Sequence, residues 1–75
     1  GATDIRRILA AIPGIQGVPK VRSRIAASGP LFAEITITCD GALSVARAHD
    51  LADAAERAIR DRLGTADVTV HVEPV

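Results

Sequence analysis

The sequence predicts a small α+β domain in which two helices lie on one face of a three-stranded mixed sheet, in the order helix, strand, strand, helix, strand. Two segments repeat apolar residues every three or four positions, and three others alternate apolar and polar residues. The second helix lies between two strands, as in a right-handed crossover that joins parallel strands. Because each element has a single apolar side, both helices are expected on the same face of the sheet, leaving the other face open.

The first helix is predicted near the start of the chain. Thr3 is a candidate N-cap, and Pro13 and Gly14 are expected to end the segment. Asp4, Arg6 and Arg7 fall on the solvent side. The apolar positions of this helix are Ile5, Ile8, Leu9 and Ile12.

The next two segments are predicted to form a hairpin. Residues 18–27 alternate basic and smaller side chains, which suits an edge strand that must avoid pairing with another chain. Residues 32–39 form the next strand. If the basic row shares a face with Glu34 and Thr36, even positions pair with even ones, which requires an odd-length loop such as 29–31. Cys39 is expected to be buried as a small hydrophobe. The other inward positions of this strand are Ala33, Ile35 and Ile37.

Residues 43–63 are the longest periodic segment and predict the second helix. Ser44 is its candidate N-cap and Gly64 its left-handed end. His49 is expected at the edge of the apolar stripe, where it either caps the core as a half-buried side chain or reaches a neighbouring surface or a shared ion. Residues 67–73 then alternate as the last strand, and Pro74 ends it. The predicted stripe of the helix is Val45, Ala48, Leu51, Ala52, Ala55, Ile59 and Leu63.

The composition argues against some classes of function. The 75 residues make one domain, 1–75, with a small core, for which oligomerisation is an expected supplement. Nine basic residues balance nine acidic ones and Phe32 is the one aromatic residue, which argues against a nucleic-acid surface. The single cysteine excludes an internal disulfide and favours an intracellular protein. The abrupt start suggests a domain cut from a longer protein, with Gly1 as a residue left by cloning.

The open face of the sheet is the candidate site. His71 and Glu73 lie one residue apart on the last strand, and Glu34 could approach His71 from the middle strand. These nitrogen and oxygen donors suit zinc, manganese or ferrous iron better than copper(I). A plain polar strand face is the alternative. Similarly, the row Lys20, Arg22 and Arg24 is either a solvated edge or a phosphate or partner site.

The chain resembles, over nearly its whole length, the C-terminal cytoplasmic domain of the cation diffusion facilitator transporters. Its fold, which looks like a metallochaperone or ferredoxin-like unit, agrees with the predicted order of elements. The matching pieces are IPGIQGV at 12–18, RSR at 22–24, SGP at 28–30, LSVARAHDLAD at 43–53 and ADVTVHVEP at 66–74.

The resemblance implies a homodimerising regulatory domain on the cytoplasmic side of a membrane, attached to a membrane-spanning transporter domain. In the family, two such domains pair in a V shape and bind divalent cations at or near their interface, which favours transport. His49 matches the histidine of the family's AH motif and His71 the last-strand histidine. Glu73 falls where zinc-transporting members place an aspartate. Glu34 falls where some iron- or manganese-linked members place an acidic ligand.

The chain also departs from the family pattern. Pro19 and Lys20 stand where zinc-transporting members often carry a His-Asp pair, and Thr36 stands where they carry a second-strand histidine. A divalent cation (zinc, iron or manganese) is therefore expected to bind weakly. The charges of Arg22 and Arg24 should lower that affinity further. The ligands predicted are Glu34, His49, His71 and Glu73.

Two other functions remain open from the sequence. One is a structural dimerisation module that is indifferent to metal, which the empty ligand positions favour. The other is a free-standing ferredoxin-like domain that binds a small anionic ligand on the basic row. An enzyme is not expected, because no nucleophile lies next to a base, no Gly-rich phosphate loop is present and a small core offers no deep pocket.

Overall fold

The computed structural model describes residues 2–64 and 66–75 and has the predicted order of elements. Gly1 and Thr65 lie outside the described residues. The order of elements is helix α1 (Ala2–Ala10), strands β1 (Gly17–Ile25) and β2 (Leu31–Cys39), helix α2 (Val45–Leu63) and strand β3 (Ala66–Pro74). No helix in the described part of the chain is both long and apolar enough to cross a membrane.

The three strands form one sheet in the order β1-β2-β3. β1 pairs with β2 in the antiparallel sense, and β2 pairs with β3 in the parallel sense, as the crossover through α2 requires. Both helices pack on the face that carries the odd-numbered residues of β2, so the other face is open. The buried core confirms the predicted alternation of β2, including the inward position of Cys39. Its members are Ile5, Leu9, Ala33, Ile35, Ile37, Cys39, Leu51, Ala55, Ile59 and Val68.

The hairpin confirms the predicted parity but not the suggested loop. Even residues of β1 face even residues of β2, and the last pair is Ile25 with Leu31. The loop is therefore residues 26–30, five residues rather than three. It is closed by two backbone hydrogen bonds and turns at Gly29, which has φ +107°. The pairing also shifts between Gly17 and Lys20, a bulge that contains Pro19, a residue with no amide to donate.

The α2 helix has the predicted ends. The Ser44 hydroxyl accepts a hydrogen bond from the Arg47 amide at 3.1 Å, and the Gly64 amide donates to the Arg60 carbonyl at 2.9 Å. Two predictions near helix starts were wrong. Val45 is 88% exposed, because the first turn of α2 extends past the edge of the core. Thr3 lies within α1 and does not cap it.

The last described residue, Val75, is hydrogen-bonded to the turn after β2. The Val75 amide donates to the Cys39 carbonyl, and the Val75 carbonyl accepts from the Gly41 amide, both at 2.9 Å. A Cβ atom at Gly41 would lie 2.7 Å from the Val75 carbonyl oxygen, so this turn excludes a side chain there. These bonds hold the end of β3, which carries Glu73, beside the end of β2.

Candidate metal-binding face

The strand register arranges the open face in rows of side chains. Each row takes one residue from each strand, and neighbouring rows are two residues apart along the chain. The rows are Arg24, Phe32 and Asp67; then Arg22, Glu34 and Thr69; then Lys20, Thr36 and His71; and, beyond the bulge in β1, Gly17, Thr38 and Glu73.

Glu34 is an exposed carboxylate in the middle strand. It lies between Arg22 on β1 and Thr69 on β3, and His71 is its diagonal neighbour in the next row. Diagonal neighbours are still within reach of long side chains. The strand register therefore leaves a contact between Glu34 and His71 possible, although they do not occupy facing positions.

His71 and Glu73 are exposed on the same face of β3. Successive positions on one face of a strand are about 6.6 Å apart, so an imidazole and a carboxylate point from one edge of the sheet in the same direction. Since β3 is an edge strand, this pair is accessible from the side as well as from the open face. Two donors of this kind leave most of a cation's coordination shell to water or to another molecule.

His49 belongs to the helix layer, on the other side of the sheet from Glu34 and His71. Its side chain is 74% exposed, so the expected half-buried position was wrong. Its Nε2 atom lies 3.5 Å from the Asp53 carboxylate, one helical turn further on. Asp53 was not among the predicted ligands. The spacing of four residues on one helix is the sequence signal that pairs these two side chains.

The four predicted ligands do not meet in one protomer. Among residues 2–64 and 66–75, no group of three or more His, Cys, Asp or Glu side chains is placed to hold one ion. His49 lies in the helix layer, whereas the other three lie on the opposite, open face of the sheet. A complete coordination shell built from these residues would need donors from a second molecule.

The three basic residues of β1 are all exposed, but their neighbours differ. The Arg24 guanidinium lies 5.5 Å above the centre of the Phe32 ring, a cation–π distance. Arg22 makes no ion pair with Glu34, its facing residue, in the described part of the chain. A shallow depression on this face is lined by both arginines and also by Glu34 and Asp67. The two carboxylates oppose the anionic ligand that was considered for this row.

Thr36 differs from its neighbours on the open face. It was expected among solvated polar residues, but only 9% of it is exposed, because it lies in the middle strand between Lys20 and His71. It occupies the position at which zinc-transporting relatives were expected to carry a histidine. A hydroxyl there adds little to a cation site and fills the centre of the face.

Comparison with known proteins identifies the family. The sequence profile of the family described as cation efflux protein, cytoplasmic domain, matches residues 2–75. The chain belongs to this family. It is the family that the sequence resemblance predicted, the cytoplasmic domain of the cation diffusion facilitators.

Two curated relatives of the chain carry a name that agrees with this family. The chain is 38% identical over 72 residues to the cation-efflux pump FieF of Pectobacterium atrosepticum, and 39% identical over 72 residues to FieF of Klebsiella pneumoniae. In both comparisons 95% of this chain is covered but 23% of the relative, so the chain spans about a quarter of the length of these pumps.

A solved structure confirms the fold of this cation efflux domain. The C-terminal domain of MamM superposes with a TM-score of 0.91 at 23% identity, covering 99% of this chain and 94% of that one. A nickel form and a cadmium form of MamM variants superpose equally well, at 0.91, with 23% and 24% identity, 99% of this chain covered in both, and 94% and 92% of those chains.

Proposed function

We propose that this cytoplasmic domain is a cation-sensing dimerisation domain, in which a divalent cation held between two copies stabilises a closed, V-shaped arrangement and favours transport. The observation that carries the proposal is the division of the donors. His71, Glu73 and Glu34 lie on the open face and His49 on the helix layer, with no group of three among the described residues of one protomer. A cation that recruits donors from two copies binds the closed state alone and shifts the population toward it.

Relatives of the chain support a divalent cation. The FieF proteins are named cation-efflux pumps, and the MamM variants are described as nickel and cadmium forms. Imidazole and carboxylate donors suit zinc, manganese or ferrous iron. The affinity is expected to be weak, because Pro19, Lys20 and Thr36 supply no ligand at three positions where relatives are expected to have one.

A titration of the domain with zinc and with manganese tests the proposal. His71→Ala should remove most of the binding heat while the fold stays intact, since His71 is exposed and contributes nothing to the core. Asp67→Ala is the matched control, because it removes an exposed carboxylate from the same face of the same strand but outside the ligand set. Equal binding by the wild type and His71→Ala would overturn the ligand assignment.

A metal-indifferent dimerisation module is the second candidate. Its support is the missing ligands together with exposed apolar side chains at one end of the domain, where Leu43, Val45 and Val75 are 36%, 88% and 71% exposed. This candidate predicts a dimer whose mass and shape do not respond to zinc, manganese or iron. The same titration, combined with a measurement of mass in solution, separates the two.

A further inference from the structure

We propose that Arg22 sets the affinity of the cation site through its charge beside Glu34, and that it does so more strongly than any other basic residue of the open face. The inference rests on the proposed function, since it assigns Glu34 to the cation. The inference gives a role to Arg22, a residue that does not itself coordinate the cation. The guanidinium belongs to the residue that faces Glu34, and a dication that binds Glu34 does so against the repulsion of that charge.

The register places the two side chains together. Arg22 and Glu34 are facing residues of the antiparallel pair β1–β2, and such residues have Cβ atoms about 4.5–5.5 Å apart. The residue on the other side of Glu34 is Thr69, which is neutral. Of the two side chains directly beside Glu34, the guanidinium of Arg22 is therefore the charged one.

Arg22 and Glu34 are neighbours, but they do not form a salt bridge. No ion pair joins Arg22 to Glu34 in the described residues, and both side chains are exposed. The guanidinium can therefore move aside without breaking a formed salt bridge when a cation arrives. For a separation of about 8 Å between this charge and the cation, the repulsion in water corresponds to about a fivefold loss of affinity at low ionic strength.

The other two basic residues of the row face residues other than Glu34. Arg24 lies above the Phe32 ring, and Phe32 is also its facing residue on β2. Lys20 faces Thr36, a neutral residue. Each is one row from Glu34, about 6.6 Å further along the strand, so its effect on a cation at Glu34 should be smaller.

The experiment is a zinc and manganese titration of the wild-type domain and the variants Arg22→Gln, Arg24→Gln and Arg57→Gln, at low and at physiological ionic strength. Arg57→Gln makes the same change in net charge on an exposed position of α2. Arg22→Gln should lower the Kd about fivefold at low salt, and Arg24→Gln by a smaller factor of about three, because its charge lies one row further from Glu34. Arg57→Gln should leave it unchanged, and the gain should shrink as salt is added.

Two further results distinguish failure of the inference about Arg22 from failure of the proposed metal site at Glu34. In a double-mutant cycle with Glu34→Gln, the gain from Arg22→Gln should shrink, because a cation that Glu34 no longer holds lies further from the guanidinium of Arg22. If Glu34→Gln weakens binding and Arg22→Gln has no more effect than Arg57→Gln, the inference is overturned while the metal site stands. If Glu34→Gln leaves the wild-type affinity unchanged, or no variant binds either cation, the role of Glu34 in the proposed function is overturned and the inference fails with it.

Discussion

At the scale of single residues, position in the sheet decides what each polar side chain can do. Glu34, His71 and Glu73 are the proposed donors of the sheet, because strand alternation turns them away from the core and toward its open face. Thr36 has the same alternation, yet its place between two longer side chains buries it. Strand parity alone therefore predicts the face of a residue but not its exposure.

Proton competition at the two histidines gives a prediction at this scale. An imidazole binds a cation only in its neutral form, so lowering the pH from about 8 to about 6 should weaken binding. Titrations at the two pH values measure the effect. The double variant His49→Gln/His71→Gln should bind weakly and with little pH dependence in this range. A wild-type affinity that is the same at both values would show that neither histidine is a ligand.

At the scale of elements, the periodicity of apolar residues was sufficient to predict all five elements and the parity of the hairpin. The repeats in residues 43–63 and the alternation of residues 32–39 predict burial correctly at Leu51, Ile59 and Ile37. Parity requires only that the hairpin loop be odd, so it did not distinguish three residues from five. The exposure of Val45 and His49 also escaped prediction, because a helical stripe does not reveal where the sheet beneath it ends.

The Ser44 cap yields a prediction for the α2 helix. Ser44→Ala removes the acceptor of the Arg47 amide bond and should lower the free energy of unfolding by about 1 kcal/mol. For a domain of this size that corresponds to a fall in Tm of about 4–8 °C. Val45→Ala is the control, since a side chain that is 88% exposed contributes little to the core. Equal melting temperatures for wild type and Ser44→Ala would contradict the role of the cap.

At the scale of the whole molecule, the distribution of donors matters more than their number. One face of the sheet and the outer side of α2 each carry some of the proposed donors, and among the described residues no complete set lies in one protomer. Sequence patterns predicted which residue types stand where, and the family resemblance supplied the candidate ligands. How two copies are arranged depends on contacts between molecules, which the pattern of one chain does not encode.

The central claim, that a cation closes a dimer of this domain, is tested most directly by solution scattering during titration with zinc or manganese. The account predicts a constant dimer mass and a radius of gyration that falls as the cation is added, in the wild type and in Asp67→Ala but not in His71→Ala. A dimer whose radius of gyration stays the same at saturating cation would contradict the claim and leave a scaffold whose response to metal lies elsewhere in the transporter.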